Sequence, residues 1–230
     1  MITPRLGINT SLMNIQFVYL HGFASSPQSQ KATAFTRRFT ELGLPLTVPD
    51  LEGGDFKHLT ISRQLAIIEK TMDSFPDSSF ALIGSSMGGY LAALTAQIRP
   101  NVKGVYLMCP GFNFVTRWRS SMEEEIQRTG ESRLIRVFNY RYAKTMELDI
   151  GLFEDAEKWE GMEYEKPVPT RIVHGIHDDT VDITESRNFA REYPWTSLKE
   201  VNSDHGLLSH LDWIIDDCLN FFRVQGLLTV

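Results

Sequence analysis

From residue 15 onward, short apolar runs alternate with longer stretches in which apolar residues return every three or four positions. The runs read as strands and the longer stretches as amphipathic helices, because a helix brings side chains back to one face after about 3.6 residues. The pattern predicts strands near 15–20, 45–49, 79–84 and 102–108, with helices near 29–42, 59–74 and 87–98 between them. It resumes with a strand near 170–174, a helix near 183–192, a strand near 197–201 and a helix near 208–224. Repeated strand–helix units make each crossover pack back onto the sheet, so the expected class is α/β, a mostly parallel sheet with helices on both faces.

Two segments stand outside this alternation. Residues 1–14 show no periodic apolar pattern and read as an N-terminal extension, with Met13 just ahead of the first run, and 15–230 reads as one domain. The stretch from about 111 to 166 is too long for a simple connection and mixes Phe112, Phe114, Trp118, Phe138, Tyr140 and Tyr142 with many charges. Its stretches look amphipathic, and the expectation is a helical lid inserted over a site, with Phe112, Trp118 and Arg117 as candidate substrate-binding residues. Its aromatics favour an apolar or aromatic acyl group. Arg117 and Arg119 either receive an anionic group of the substrate or form surface ion pairs of little energetic worth.

Composition narrows the function classes. At 230 residues and 42% hydrophobic the chain can bury one substantial core. A net charge of −6 argues against a nucleic-acid partner, which selects for a basic surface. Cys109 and Cys218 are too few for a disulfide scaffold and form no C-x-x-C pair, so a reducing, cytoplasmic setting is expected. No run approaches the roughly 18 apolar residues of a bilayer span, and no secretory pattern opens the chain, so no membrane partner is expected. The sequence implies no metal and no organic cofactor.

The chemistry concentrates at Gly84-Ser85-Ser86-Met87-Gly88, directly after the apolar run Phe80-Ala81-Leu82-Ile83 and before a helix-favouring stretch. A strand turning sharply into a helix strains its turn residue, and glycines two before and two after let the chains pass closely. Ser86 meets both glycine positions, whereas Ser85 has Ile83 and Met87 at those offsets. A serine hydroxyl needs a base, and of six histidines His205 lies between the last strand and last helix, at the sheet edge where α/β ligands bind. An acid to orient that histidine belongs after the penultimate strand, where Asp178, Asp179 and Asp182 all qualify, Asp182 also as a helix cap. The loop His21-Gly22-Phe23 after the first strand offers the Phe23 N–H as one oxyanion donor, with the Met87 N–H as the other and His21 bracing the loop.

Leu20-His21-Gly22-Phe23, Gly84-Ser85-Ser86-Met87-Gly88-Gly89, His174-Gly175-Ile176-His177-Asp178 and Asp204-His205-Gly206, in the order Ser, Asp, His, resemble the α/β-hydrolase superfamily. More narrowly, His21 to Pro27 together with Asp55-Phe56-Lys57-His58-Leu59-Thr60 resembles the small bacterial YqiA-like esterases. The resemblance spans nearly the whole chain from residue 15 and implies a reduced, six-stranded hydrolase sheet. It selects Asp178 as the acid, three residues after the glycine of the H-G-x-x-D loop. It implies a serine hydrolase that acts on a small-molecule carboxylic ester or thioester through an acyl-enzyme, with Ser86, Asp178 and His205 as catalytic residues. The same triad also serves peptidases, lactonases and carbon–carbon bond hydrolases, and the same fold serves as a non-catalytic binding module for small ligands.

Overall fold

The computed structural model describes residues 14–130 and 133–229. The chain order is β1 (Ile15–Leu20), α1 (Gln30–Glu41), β2 (Leu46–Thr47), α2 (Ile61–Asp73), β3 (Ser79–Ser85), α3 (Met87–Ile98) and β4 (Val102–Met108). It continues with α4 (Phe114–Thr129), β5 (Leu134–Asn139), β6 (Lys144–Asp149), α5 (Gly151–Glu160), β7 (Thr170–Gly175), α6 (Ile183–Glu192) and β8 (Thr196–Val201). A 3₁₀ turn over Leu208–His210 leads into α7 (Leu211–Val224). The N-terminal extension lies outside the described residues except for Asn14, whose side-chain amide donates to Ser78 Oγ at 2.9 Å.

Six strands form one sheet in the order β2-β1-β3-β4-β7-β8, and every neighbouring pair is parallel. The period of two along each strand sorts its side chains between two cores. Val18, Leu20, Phe80, Leu82, Val105, Leu107 and Ile172 pack with α2 and α3. Phe17, Tyr19, Ala81, Ile83, Tyr106, Met108 and Val173 pack with α1 and α7 on the opposite face. Each large side chain fully buried there, such as Phe35 and Phe39 of α1, contributes about 1.5–3 kcal/mol. Local capping fixes where helices begin: Ser29 accepts from Ala32 N, Thr60 from Arg63 N and Asp182 from Thr184 N. No helix among the described residues is long and apolar enough to cross a membrane.

The insertion differs from the helical lid expected of it. Between α4 and α5 the chain forms an antiparallel hairpin, β5 paired with β6 from Leu134↔Asp149 to Asn139↔Lys144. Leu-Ile-Arg-Val-Phe-Asn is rich in β-branched and aromatic residues, and it buries Ile135 and Asn139 while exposing Phe138. The hairpin is pinned to the sheet edge. Tyr140 N donates to Ala24 O at 2.8 Å, the buried Asn139 amide donates to Glu52 Oε1 at 2.7 Å, and Arg141 pairs with Asp50 at 2.6 Å. Helix α5 is tied to α2 because Asp155 accepts from both the N–H and the hydroxyl of Ser62, each at 2.7 Å.

Candidate active site

Ser86 occupies the turn between β3 and α3 at φ 54°, ψ −120°. That left-handed backbone is costly for a residue with a side chain, and it is held because both neighbouring glycines are sterically required. A Cβ on Gly84 would overlap the Gly88 carbonyl, and one on Gly88 would overlap the Leu20 carbonyl of β1. Ala24, Cys109 and Leu207 also have positive φ, at the loop after β1, the end of β4 and the loop before the 3₁₀ turn. Strain therefore gathers at the C-terminal edge of the sheet around Ser86.

Ser86 Oγ lies 3.1 Å from His205 Nε2, and His205 Nδ1 lies 2.7 Å from Asp178 Oδ2. The three residues come from the ends of β3, β7 and β8, and the topology brings them together across four adjacent strands. None of the other five histidines engages Ser86. His58 pairs with Asp55, His177 with Asn202 and His210 with Ser209, while His21 and His174 are buried elsewhere. The Asp178 side chain is wholly buried. Its Oδ1 accepts from Thr180 N at 2.9 Å and Val181 N at 2.8 Å, and its Oδ2 also receives His174 Nε2 at 3.1 Å. Burial alone would raise this carboxyl, but the hydrogen bonds from His174, His205 and the Val181 N–H outweigh it and hold the group well below the usual carboxylate range. Asp179 is exposed and among the described residues accepts only from Thr180 Oγ1, at 3.3 Å, and Asp182 is used as the cap of α6.

The loop after β1 abuts the serine, since a Cβ on Gly22 would stand 3.4 Å from Ser86 Cβ. Neither the Phe23 nor the Met87 N–H has an acceptor among the described residues. His21 braces this loop. Its Nε2 accepts from Leu51 N at 3.1 Å, which leaves the proton on Nδ1 to donate to Gly22 O at 3.0 Å. Burial lowers the pKa of His21 and favours this neutral form.

A cavity of about 770 Å³ opens over Ser86 and His205. The insertion supplies Phe114, Arg117, Trp118, Val137, Phe138 and Tyr140 to its wall, and Phe23 packs on Trp118 with ring centroids 5.8 Å apart. Phe112 does not line this cavity, contrary to expectation. It stacks on Phe189 of α6 at 4.4 Å and meets Tyr90 and Tyr164, so the aromatic cluster between α3 and α6 buries the ring. Arg119 forms an exposed pair with Glu157 at 3.4 Å, whereas Arg117 reaches the cavity. Sequence reasoning named Phe138 and Tyr140 among the aromatics of the insertion but missed Val137, the hairpin that carries all three, the contact of His174 with Asp178, and Lys31. The hairpin was signalled by the alternating run before Asn139 and His174 by its place in the Asp178 loop. Lys31, in the first turn of α1, carried no signal.

Among the described residues, the cluster able to gather round a metal is Cys109, Asp178 and His205, with ligand atoms within 4.8 Å of one another. Asp178 and His205 already bond each other, and burial pushes the Cys109 thiol well above its ordinary value, away from the thiolate a metal needs. The arrangement instead suits activation of a hydroxyl by a buried, oriented imidazole.

A model of an uncharacterised protein family, UPF0227, matches residues 16–222. A search of the curated proteins finds no match. Among solved structures, ferulic acid-bound Est1E from Butyrivibrio proteoclasticus superposes with a TM-score of 0.73 at 21% identity, covering 95% of this chain and 92% of that one. The mouse alpha/beta hydrolase domain-containing protein 10 gives 0.74 at 20% identity, covering 91% and 90%. A structure from the metagenome-derived lipolytic enzymes LipS and LipT gives 0.69 at 16% identity, covering 92% and 94%. At these identities the likeness establishes the fold, which is that of the α/β hydrolases.

Proposed function

Because this chain belongs to the uncharacterised family UPF0227, whose YqiA-like members share the α/β-hydrolase fold, we propose that it is a serine hydrolase cleaving a carboxylic ester or thioester. The observation that carries the reading is the continuous hydrogen-bonded chain from Ser86 through His205 to the buried, ionised Asp178. His205 Nε2 takes the proton as Ser86 Oγ attacks the carbonyl carbon, and Asp178 stabilises the imidazolium that forms. The tetrahedral oxyanion sits between the N–H groups of Phe23 and Met87. His205 then gives its proton to the departing alcohol or thiol, leaving an acyl group on Ser86. A water deprotonated by the same imidazole releases the acid and restores the hydroxyl.

The insertion acts as a lid in this mechanism. Pinned through Asn139, Tyr140 and Arg141, it excludes water and offers Phe114, Trp118 and Val137 to the acyl group, beside Phe23 from the loop after β1. A fluorophosphonate probe tests the central claim, because such probes react only with an activated serine. Labelling at Ser86 that disappears in Ser86→Ala, together with turnover of 4-nitrophenyl esters, supports it. Absence of labelling, or Ser86→Ala turnover within tenfold of the parent, rejects it.

A further inference from the structure

Among the described residues, the cavity over Ser86 is lined by two cations, Lys31 and Arg117, and by no aspartate or glutamate. This is unexpected in a chain of net charge −6, whose other arginines commonly pair with carboxylates, as Arg133, Arg141 and Arg187 do. Arg117 donates from Nε to Phe112 O at 2.9 Å and from Nη1 to Thr180 O at 3.0 Å, and neutral carbonyls such as these engage two of its five N–H donors without neutralising its charge. Lys31 is half-buried and has no hydrogen-bond acceptor and no ion-pair partner among the described residues. Burial lowers the pKa of its ammonium, an effect opposed by Cys109, Asp178 and Asp204. Neither carboxylate forms an ion pair with it: Asp178 is taken up by histidine and backbone donors, and Asp204 Oδ1 accepts from Leu207 N. A desolvated cation without a counter-ion is costly, and the cost falls when a bound anion completes the site.

The position of Lys31 indicates which part of a substrate meets it. The aromatic wall belongs to the α2 and α3 face of the sheet, where Phe114 and Trp118 pack. Lys31 begins α1 on the opposite face, the one to which the His205 loop leads through Leu207 and α7. Ser25, Ser29, Gln30, Gly206 and Leu208 line the same cavity, as does His205, whose imidazole protonates the leaving group. The first-turn N–H groups of α1 add to the same positive field, since Ser29 caps Ala32 N and leaves those of Gln30 and Lys31 without intrahelical partners.

We propose that this site takes anionic esters or thioesters, in which a carboxylate or phosphate on the leaving alcohol or thiol is held by Lys31 while the carbonyl sits at Ser86. Arg117 adds to the attraction from across the cavity. The inference rests on the reading of Ser86 as nucleophile, so its test measures binding without turnover. Amides serve as probes: 4-(butanoylamino)benzoate, its neutral primary carboxamide, and 4-(butanoylamino)phenyl phosphate, each titrated calorimetrically into the parent, Lys31→Gln and Lys31→Arg. The parent is expected to bind at least one anion about tenfold or more tightly than the neutral carboxamide, the size of one charge-assisted contact. Lys31→Gln should erase that ratio and Lys31→Arg should retain most of it. A carboxylate preference and a phosphate preference both support the proposal and distinguish its two chemistries. No preference in the parent, or an equal loss for charged and neutral probes in Lys31→Gln, overturns it and makes Lys31 a support for the Asp178 loop. Failure of the nucleophile reading would appear separately, as absent probe labelling at Ser86.

Discussion

Replacing Asp178 by asparagine should stop the reaction by enforcing the wrong histidine tautomer, and the geometry says why the amide cannot avoid it. The Oδ1 position receives two backbone donors, Thr180 N at 2.9 Å and Val181 N at 2.8 Å, so the amide oxygen must stand there. The NH₂ group is then forced into the Oδ2 position, 2.7 Å from His205 Nδ1 and 3.1 Å from His174 Nε2. His205 can accept from that NH₂ only with its proton on Nε2, the atom that must take the proton from Ser86 Oγ 3.1 Å away. A fall in kcat of about 10⁴ is expected. Stability should fall as well. His174 Nε2 also faces Val181 O at 2.9 Å, so when its proton moves to Nδ1 to meet the new NH₂, a buried carbonyl loses its donor. One such loss costs about 1–3 kcal/mol, equivalent to roughly 2–6 °C in Tm at this chain length. Asp179→Asn, at an exposed site with one long contact, is the matched control. The assay is steady-state ester hydrolysis with calorimetric melting for both variants. Asp178→Asn activity within tenfold of the parent, or greater damage from Asp179→Asn, would refute the reasoning.

Ser86→Gly should abolish turnover yet raise Tm by about 2–4 °C, because roughly 1–3 kcal/mol of backbone strain at φ 54° outweighs about 0.5–1 kcal/mol of glycine entropy. A lower Tm would show that the serine is not strained. Burial holds the folded-state pKa of His21 below the ordinary value of about 6.5, so the unfolded chain binds more protons between those two values and stability declines as pH falls through that window. His21→Gln should flatten the dependence of the urea midpoint on pH below about 6.5, and an unchanged slope would remove His21 from the account. Trp118→Ala should shift the preferred acyl length across a 4-nitrophenyl ester series, since its ring packs on Phe23 and Phe114 at the cavity wall. Phe112→Ala should leave that preference alone while costing about 3–5 kcal/mol, as expected for a stacked core ring, and the reverse pattern would reassign both residues.

What the sequence by itself determined were features whose physics is local. The alternation of apolar runs and amphipathic stretches placed all six strands of the parallel sheet, because the face a side chain takes follows from chain geometry alone. Ser86 could be picked from Ser85 because the elbow demands small residues at fixed offsets, and Gly84 and Gly88 do meet backbone where any Cβ would overlap. The rest depended on contacts between residues far apart in the chain. Asp178, Asp179 and Asp182 are equivalent by chemistry, and their separation comes from where the loop after β7 turns: Asp178 lies under His205, Asp179 faces solvent and Asp182 caps α6. The direction of the Phe112 ring depended on Phe189, 77 positions later in sequence but stacked upon it. The hairpin was confused with helix because apolar stretches mixed with charge fit both periods, until Asn139 found Glu52 and Tyr140 found Ala24 to hold it in place. Lys31 was anonymous in sequence, since a lysine in the first turn of an amphipathic helix normally faces water. Only the packing of α1 into the core it shares with Leu207 and α7 put its charge on the cavity that Ser86 also lines, and such placement is a property of packing that no local pattern of residues records.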